Sequence, residues 1–272
     1  MIDAFNALER HAWEDAALPY TDHWGGLTCQ AIEPLLDAVR AEPGVRLLDV
    51  ASGPGWLAAA AARRGASAVG LDASAAMLTE GRRQHPSVRF IHGDAQRLPA
   101  RNGAFDAVAM NFGLLHLGRP EEGFAEAHRV LRAGGWLGFT VWAPPEETAA
   151  FRLVLEAVRD RGRVDVGLPE GPPFFRFADA AECRCTLEGV GFEAVTVTRV
   201  PQVWRLPGPD DLFDAMYRGT ARTRALLRAQ TEPALDGIRA AVTEGARAYG
   251  ALDGGVELPM PAVLTSARKP LG

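Results

Sequence analysis

The run Leu47-Leu48-Asp49-Val50-Ala51-Ser52-Gly53-Pro54-Gly55-Trp56 constrains this chain more than any other stretch. An apolar segment ends in an acid, passes through small residues, and opens into the alanine-rich segment 57–62. That order predicts a strand, a tight turn and a helix. A turn without bulky side chains lets a ligand approach its backbone closely. The helix start behind it offers unpaired N–H groups and a partial positive charge. The expectation is a nucleotide-cofactor loop in an α/β protein.

The rhythm continues downstream. Strands are expected at 45–50, 68–71, 88–92, 105–110 and 136–142, with helices at 56–64, 74–84 and 121–131. Leu131-Arg132-Ala133-Gly134-Gly135 reads as a helix C-terminus with a left-handed glycine. Repeated βα units imply a mostly parallel sheet covered on both faces. Two regions break the pattern. Residues 144–178 hold a helix at 151–159 and an aromatic loop at 167–177. Residues 201–256 read as a helical insertion, with helices at 210–218, 220–230 and 233–249, between strands at 193–200 and 262–268. Ahead of the sheet lies a segment carrying Phe5, Trp13, Tyr20 and Trp24, then a helix at 28–39. The expected organisation is a single domain, with a helical lid at 1–43, a core at 44–200 and 257–272, and the insertion at 201–256 over the substrate site.

Composition narrows the class. A chain of 272 residues, 47% hydrophobic and 23% charged, fits one large globular domain and excludes a mostly disordered one. A net charge of −5 argues against a nucleic-acid partner. The three cysteines, Cys29, Cys183 and Cys185, make no disulfide framework, which fits a reducing cytoplasm. Cys183 and Cys185 lack a second ligand pair, so no metal site is expected. The first residues resemble no signal peptide, and no uncharged apolar run reaches the roughly 20 residues of a membrane span. The oligomeric state is not legible.

The loop alone leaves the cofactor open. Gly53-Pro54-Gly55-Trp56-Leu57-Ala58 satisfies a dinucleotide fingerprint, with Asp72 placed 19 residues after Gly53. An NAD(P)-dependent oxidoreductase is therefore one reading. Three acids favour another. Asp49 beside the loop would repel a pyrophosphate and attract an ammonium group. Asp72, ending the second strand, can accept from both hydroxyls of a ribose, with Ser74 capping the next helix and Met77 placed to pack on a base. Asp94 and the Ala95 N–H, after the third strand, suit an adenine edge.

Together, LLDVASGPGW, VGLDAS…ML, GDAQRLP, FDAVAMNFGLLHL and EAHRVLRAGGWLGFTVW resemble the class I S-adenosylmethionine-dependent methyltransferases, in the ubiquinone/menaquinone-biosynthesis branch. The resemblance covers about 45–142 and the return strands. It implies a Rossmann-like, seven-stranded, mostly parallel sheet whose last strand is antiparallel. It also implies S-adenosyl-L-methionine as cofactor. Carried onto this chain, the cofactor set is Asp49, Ala51, Gly53, Gly55, Trp56, Asp72, Ala73, Met77, Gly93, Asp94, Ala95, Gln96, Asn111 and Phe112. Ala51 stands where the family has its first glycine.

Methyl transfer needs alignment and exclusion of water, plus a base when the nucleophile is a hydroxyl or an acidic carbon. His116, just beyond strand four, is the candidate base; His23 is a weaker one, and His92 and His128 read as structural. Strand four ends Asn111-Phe112-Gly113-Leu114, without the paired prolines of methyltransferases acting on nucleic-acid bases. Tyr20, Trp24, His116, Trp142, Phe175 and Trp204 are the candidate substrate contacts, which suits a small apolar or aromatic acceptor. An S-adenosylmethionine-binding protein with a cyclisation or scaffold role shares every one of these features.

Overall fold

The computed structural model describes residues 2–252 and 254–271. Its strands are β1 (Arg46–Val50), β2 (Ser67–Asp72), β3 (Arg89–His92), β4 (Phe105–Asn111), β5 (Leu131–Trp142), β6 (Glu193–Val200), β7 (Val203–Leu206), β8 (Val256–Pro259) and β9 (Ala262–Arg268). Its helices are α1 (Ile2–Thr28), α2 (Ile32–Ala38), α3 (Trp56–Arg63), α4 (Ala75–Gln84), α5 (Pro120–Val130), α6 (Ala149–Arg161), α7 (Ala180–Val190), α8 (Pro209–Arg218), α9 (Arg222–Arg228) and α10 (Glu232–Ala246).

Seven strands form one sheet in the order β3-β2-β1-β4-β5-β9-β6. β1 to β5 pair in parallel, and β9 runs antiparallel to both β5 and β6. This is the Rossmann-like sheet that the sequence implied. β1 is buried at every position after Arg46, as a strand covered on both faces must be. β6, at the edge, alternates inward and exposed residues instead. The strand order reverses between β1 and β4, which opens a crevice beyond their C-terminal ends.

Three local expectations change. α5 stops at Val130 without a glycine cap, and the chain passes directly into β5. Gly134 does adopt φ +73°, but inside the irregular start of β5, where its N–H donates to the Lys269 and Pro270 carbonyls. The stretch 201–256 is not purely helical, because β7 pairs with β8 in a separate ribbon. The helix expected at 28–39 begins as a 3-10 turn at Cys29–Ala31.

The aromatic N-terminal segment is one helix of 27 residues, α1. Phe5, Trp24 and Leu27 are each at most 3% exposed. Burying a large apolar side chain stabilises by roughly 1.5–3 kcal/mol, against about 0–1 kcal/mol for an exposed ion pair. Packing therefore holds α1 in place. Two indole contacts set its direction: Trp24 donates to the Ala215 carbonyl at 3.1 Å, and Trp204 donates to the His23 carbonyl at 3.1 Å. Among the described residues, no helix is long and apolar enough to cross a membrane.

Candidate cofactor and substrate site

A cavity of about 670 Å³ fills the crevice. Its walls come from the loops after β1, β2, β3 and β4, from α1, and from the start of α9.

Asp72 organises one wall. Its Oδ2 accepts from the Gly53 N–H and its Oδ1 from the Ser74 N–H, each at 2.8 Å. The carboxylate thus ties the loop after β1 to the end of β2. Burial pushes its pKa up, against the backbone N–H groups that hold the anion. Each oxygen keeps capacity for another donor, so a pair of hydroxyls fits here. Ser74 caps α4 by accepting from the Met77 N–H at 3.2 Å, and Met77 joins the wall beside Ala73. Farther along, Asp94 accepts from the Gln96 N–H at 2.8 Å, and Gln96 accepts from the Arg119 N–H at 2.7 Å. Gly93 and Ala95 complete that end.

The middle of the cavity is strained backbone. Ala51 (φ 52°) and Phe112 (φ 59°) are both left-handed without being glycine. Such residues cost of order 1–3 kcal/mol each and persist only where their surroundings enforce them. For Phe112 the enforcement is visible. Its N–H donates to Thr140 Oγ1 at 3.0 Å, and its ring stacks on Trp142. Thr140 in turn donates to Asn111 Oδ1 at 2.7 Å, while Asn111 Nδ2 donates to the Thr28 carbonyl at 3.1 Å. A Cβ on Gly113 would lie 2.5 Å from that of Ala51. The alanine in the first loop is therefore matched by a glycine in the loop facing it.

Five expected residues do not reach the cavity. Asp49 is 1% exposed, and its Oδ2 accepts from the Ala58 N–H at 3.0 Å, so it faces the first turn of α3. Burial pushes its pKa to about 8. Gly55 caps α3 with φ 82°, and a side chain there would run into the Phe90 ring, so this glycine serves packing. Trp56 donates to Gln84 Oε1 at 3.1 Å and stacks on Tyr20, away from the cavity. Phe175 packs behind Phe174, which takes the wall position instead. Trp204 is 2% exposed and lies behind Trp24 at 4.3 Å between rings.

Tyr20, Trp24, Trp142 and His116 do line the cavity. Tyr20 donates to Thr28 Oγ1 at 3.4 Å, and burial holds its phenol protonated by pushing the pKa well up. His23 is not in the cavity wall; its carbonyl accepts from Trp204. His92 bonds the Ala73 carbonyl at 3.0 Å, and His128 sets its ring edge-on to Phe192. Cys29, Cys183 and Cys185 are unbridged, and no metal-holding cluster occurs among the described residues.

His116 ends a 3-10 turn after β4, and its Nδ1 lies 2.9 Å from Glu9 Oε2. Glu9 is 3% exposed; its other oxygen accepts from Arg222 Nε at 2.8 Å. Arg222 also donates to the Pro172 and Leu115 carbonyls, each at 2.9 Å. Burial pushes the Glu9 pKa up, but His116 and Arg222 outweigh it and leave the carboxyl below its ordinary range. Sequence reasoning missed Glu9 and Arg222, and did not single out Trp13 or Phe174 from the aromatics around them. A signal existed for the first. Phe5, Glu9 and Trp13 repeat at a spacing of four, so an acid sits within an apolar helical stripe. Arg222 has no comparable mark.

Residues 48–139 match the family model described as "Methyltransferase domain". Over 123 residues the chain is 42% identical to the demethylmenaquinone methyltransferase of Beutenbergia cavernae, covering 43% of this chain and 51% of that protein. The chain spans about half the length of the curated relatives it matches. Among solved structures, a S-adenosylmethionine-dependent methyltransferase from Thermotoga maritima superposes with a TM-score of 0.56 at 18% identity, covering 96% of this chain and 99% of that one. The cyclase SpnF superposes with a TM-score of 0.54 at 24% identity, covering 90% of this chain and 81% of that one. Sequence motifs, sheet order and these likenesses agree: residues 48–139 carry a methyltransferase domain, and over part of its length the chain is similar to demethylmenaquinone methyltransferases.

Proposed function

We propose that this chain is an enzyme that transfers a methyl group from S-adenosylmethionine to a small apolar or aromatic molecule. The observation that carries the reading is the Asp72–Gly53 tie, at 2.8 Å, on the wall of a cavity that continues into an aromatic half. When bound, S-adenosylmethionine supplies a methyl carbon activated by its sulfonium.

The residues present fit that group. Asp72 would hold the ribose, Met77 would pack on the base, and Asp94 with Ala95 would hold the adenine edge. Ala51 and Gly53 would line the methionine part. Asn111 and Phe112 would border the sulfonium. Asp49 supports this set only through α3. Trp24, Trp142 and Phe174 exclude water from the other half and orient a flat acceptor. Alignment of two bound reactants supplies most of what in-line displacement requires. His116 is the group placed to take a proton from the acceptor. In this reading α1 covers the cofactor, and the turn after α8 with the start of α9 roofs the acceptor. An aromatic acceptor accords with the demethylmenaquinone enzyme among the relatives. We place the protein in the cytoplasm, with no nucleic-acid partner.

Calorimetry against S-adenosylmethionine, S-adenosylhomocysteine and NAD tests the cofactor. Binding of the first two, with NAD silent, is expected; preference for NAD would sink the reading. Release of S-adenosylhomocysteine with small aromatic acceptors then tests the reaction. Binding without release would point to a cyclisation or scaffold role.

A further inference from the structure

We propose that Glu9 positions His116 as a base for a hydroxyl acceptor, a phenol or an enol, and that the acceptor is not an amine. The inference rests on the methyl-transfer reading above. Three distant segments meet at this point: Glu9 from α1, His116 from the turn after β4, and Arg222 from α9. Both Glu9 oxygens are engaged, one by His116 Nδ1 at 2.9 Å and one by Arg222 Nε at 2.8 Å.

A carboxylate accepts, so Nδ1 of the neutral imidazole carries the hydrogen, and Nε2 is left as the basic atom. His116 lines the cavity, with the edge of Trp13 at 4.8 Å and Phe174 at 6.3 Å between ring centroids. These rings border the position with apolar surface suited to an aromatic acceptor. Arg222 balances the charge of Glu9 before reaction, and Glu9 then faces the imidazolium once it forms. A neutral amine attacks without prior loss of a proton. A phenol is a poor nucleophile until its O–H bond is weakened, so an oriented base has a task with that acceptor, as it would with an acidic carbon, and none with the amine.

The step balances. The acceptor O–H bond breaks, its proton moves to His116 Nε2, and its electron pair remains on oxygen. That oxygen bonds to the methyl carbon as the C–S bond breaks, and the departing pair stays on sulfur. His116 later returns its proton to water.

The first test is ring-nitrogen NMR of the histidine-labelled full chain without cofactor. The chain has six histidines, and loss of one signal in His116→Gln assigns it. Neutral His116 is expected to carry its hydrogen on Nδ1; finding it on Nε2 overturns the proposal. The second test compares naphthol and naphthylamine as acceptors. Naphthol is expected to be the faster substrate. In Glu9→Gln its kcat should fall about tenfold or more, with KM within about twofold. Unchanged kcat in Glu9→Gln, or faster turnover of naphthylamine, overturns the proposal. Calorimetry separates the two levels of failure. Absent S-adenosylmethionine binding defeats the underlying reading, whereas normal binding with the wrong tautomer defeats only the role of Glu9.

Discussion

Phe112 lies against Trp142 with ring centroids 4.0 Å apart and planes inclined by 24°. The stack sits where β4 and β5 end, and it holds Phe112 at a φ of 59°. Removing the ring costs about 3–5 kcal/mol, while relieving the backbone returns about 1–3 kcal/mol. Phe112→Gly should therefore lose stability, and Phe112→Ala should lose more, because alanine keeps the strain. Urea denaturation checks the order. An alanine variant at least as stable as the glycine variant would remove the strain argument.

Asp72 joins two loops and faces the cavity. Asp72→Asn keeps the shape but gives up the charge that Gly53 and Ser74 bond. Charge-assisted hydrogen bonds contribute about 1.5–3 kcal/mol, which is about ten- to a hundredfold in affinity. S-adenosylmethionine affinity by calorimetry should drop by that factor. Parental affinity in the variant would refute the assignment of the ribose site.

Asp49 predicts an unusual pH dependence. Burial raises its pKa from 3.8 to about 8, so the folded chain holds a proton that the unfolded chain releases. Its favourable contribution is complete below the unfolded value. It is lost as pH rises to the folded one, at about 1.4 kcal/mol per unit. Asp49→Asn removes that slope. The variant should gain stability relative to the parent between pH 5 and pH 8, read as diverging urea midpoints. Parallel midpoints would show that Asp49 is not buried as a neutral acid.

Glu14 fastens α1 to the start of α4, accepting from the Ala75 N–H at 2.6 Å and the Ala76 N–H at 3.0 Å. A carboxylate at a helix N-terminus contributes about 1 kcal/mol. Glu14→Ala should speed amide hydrogen exchange along α1 and raise the S-adenosylmethionine off-rate, with little change in the sheet. Exchange rates in α1 equal to the parent's would mean that packing alone holds the helix.

The sheet was legible because its strands are short apolar runs closed by acids and glycines, as at Asp49, Asp72 and Asp94. Each of those acids was legible as an end of a strand, but not as a direction. Asp49 and Asp72 look alike in the sequence. Their roles part because Asp49 pairs between Gly70 and Ala109 and turns to α3, whereas Asp72 stands at the last position of β2. The start of β5 was hidden because Gly134 imitates a helix cap. Phe174 and Phe175 are adjacent in a loop without period, so nothing in the sequence said which would face inward. Glu9 and Arg222 meet only through tertiary packing, across a separation of 213 residues.

That separation has a consequence for the order in which the molecule is made. The loops bearing Asp72, Asp94 and Phe112 are synthesised within one continuous stretch. The carboxylate of Glu9 emerges before all of them, and its guanidinium partner, Arg222, after all of them. A nascent chain can assemble the cofactor end of its cavity while the acid in α1 still lacks its counter-charge. Synthesis of α9 thus completes chemistry begun in α1.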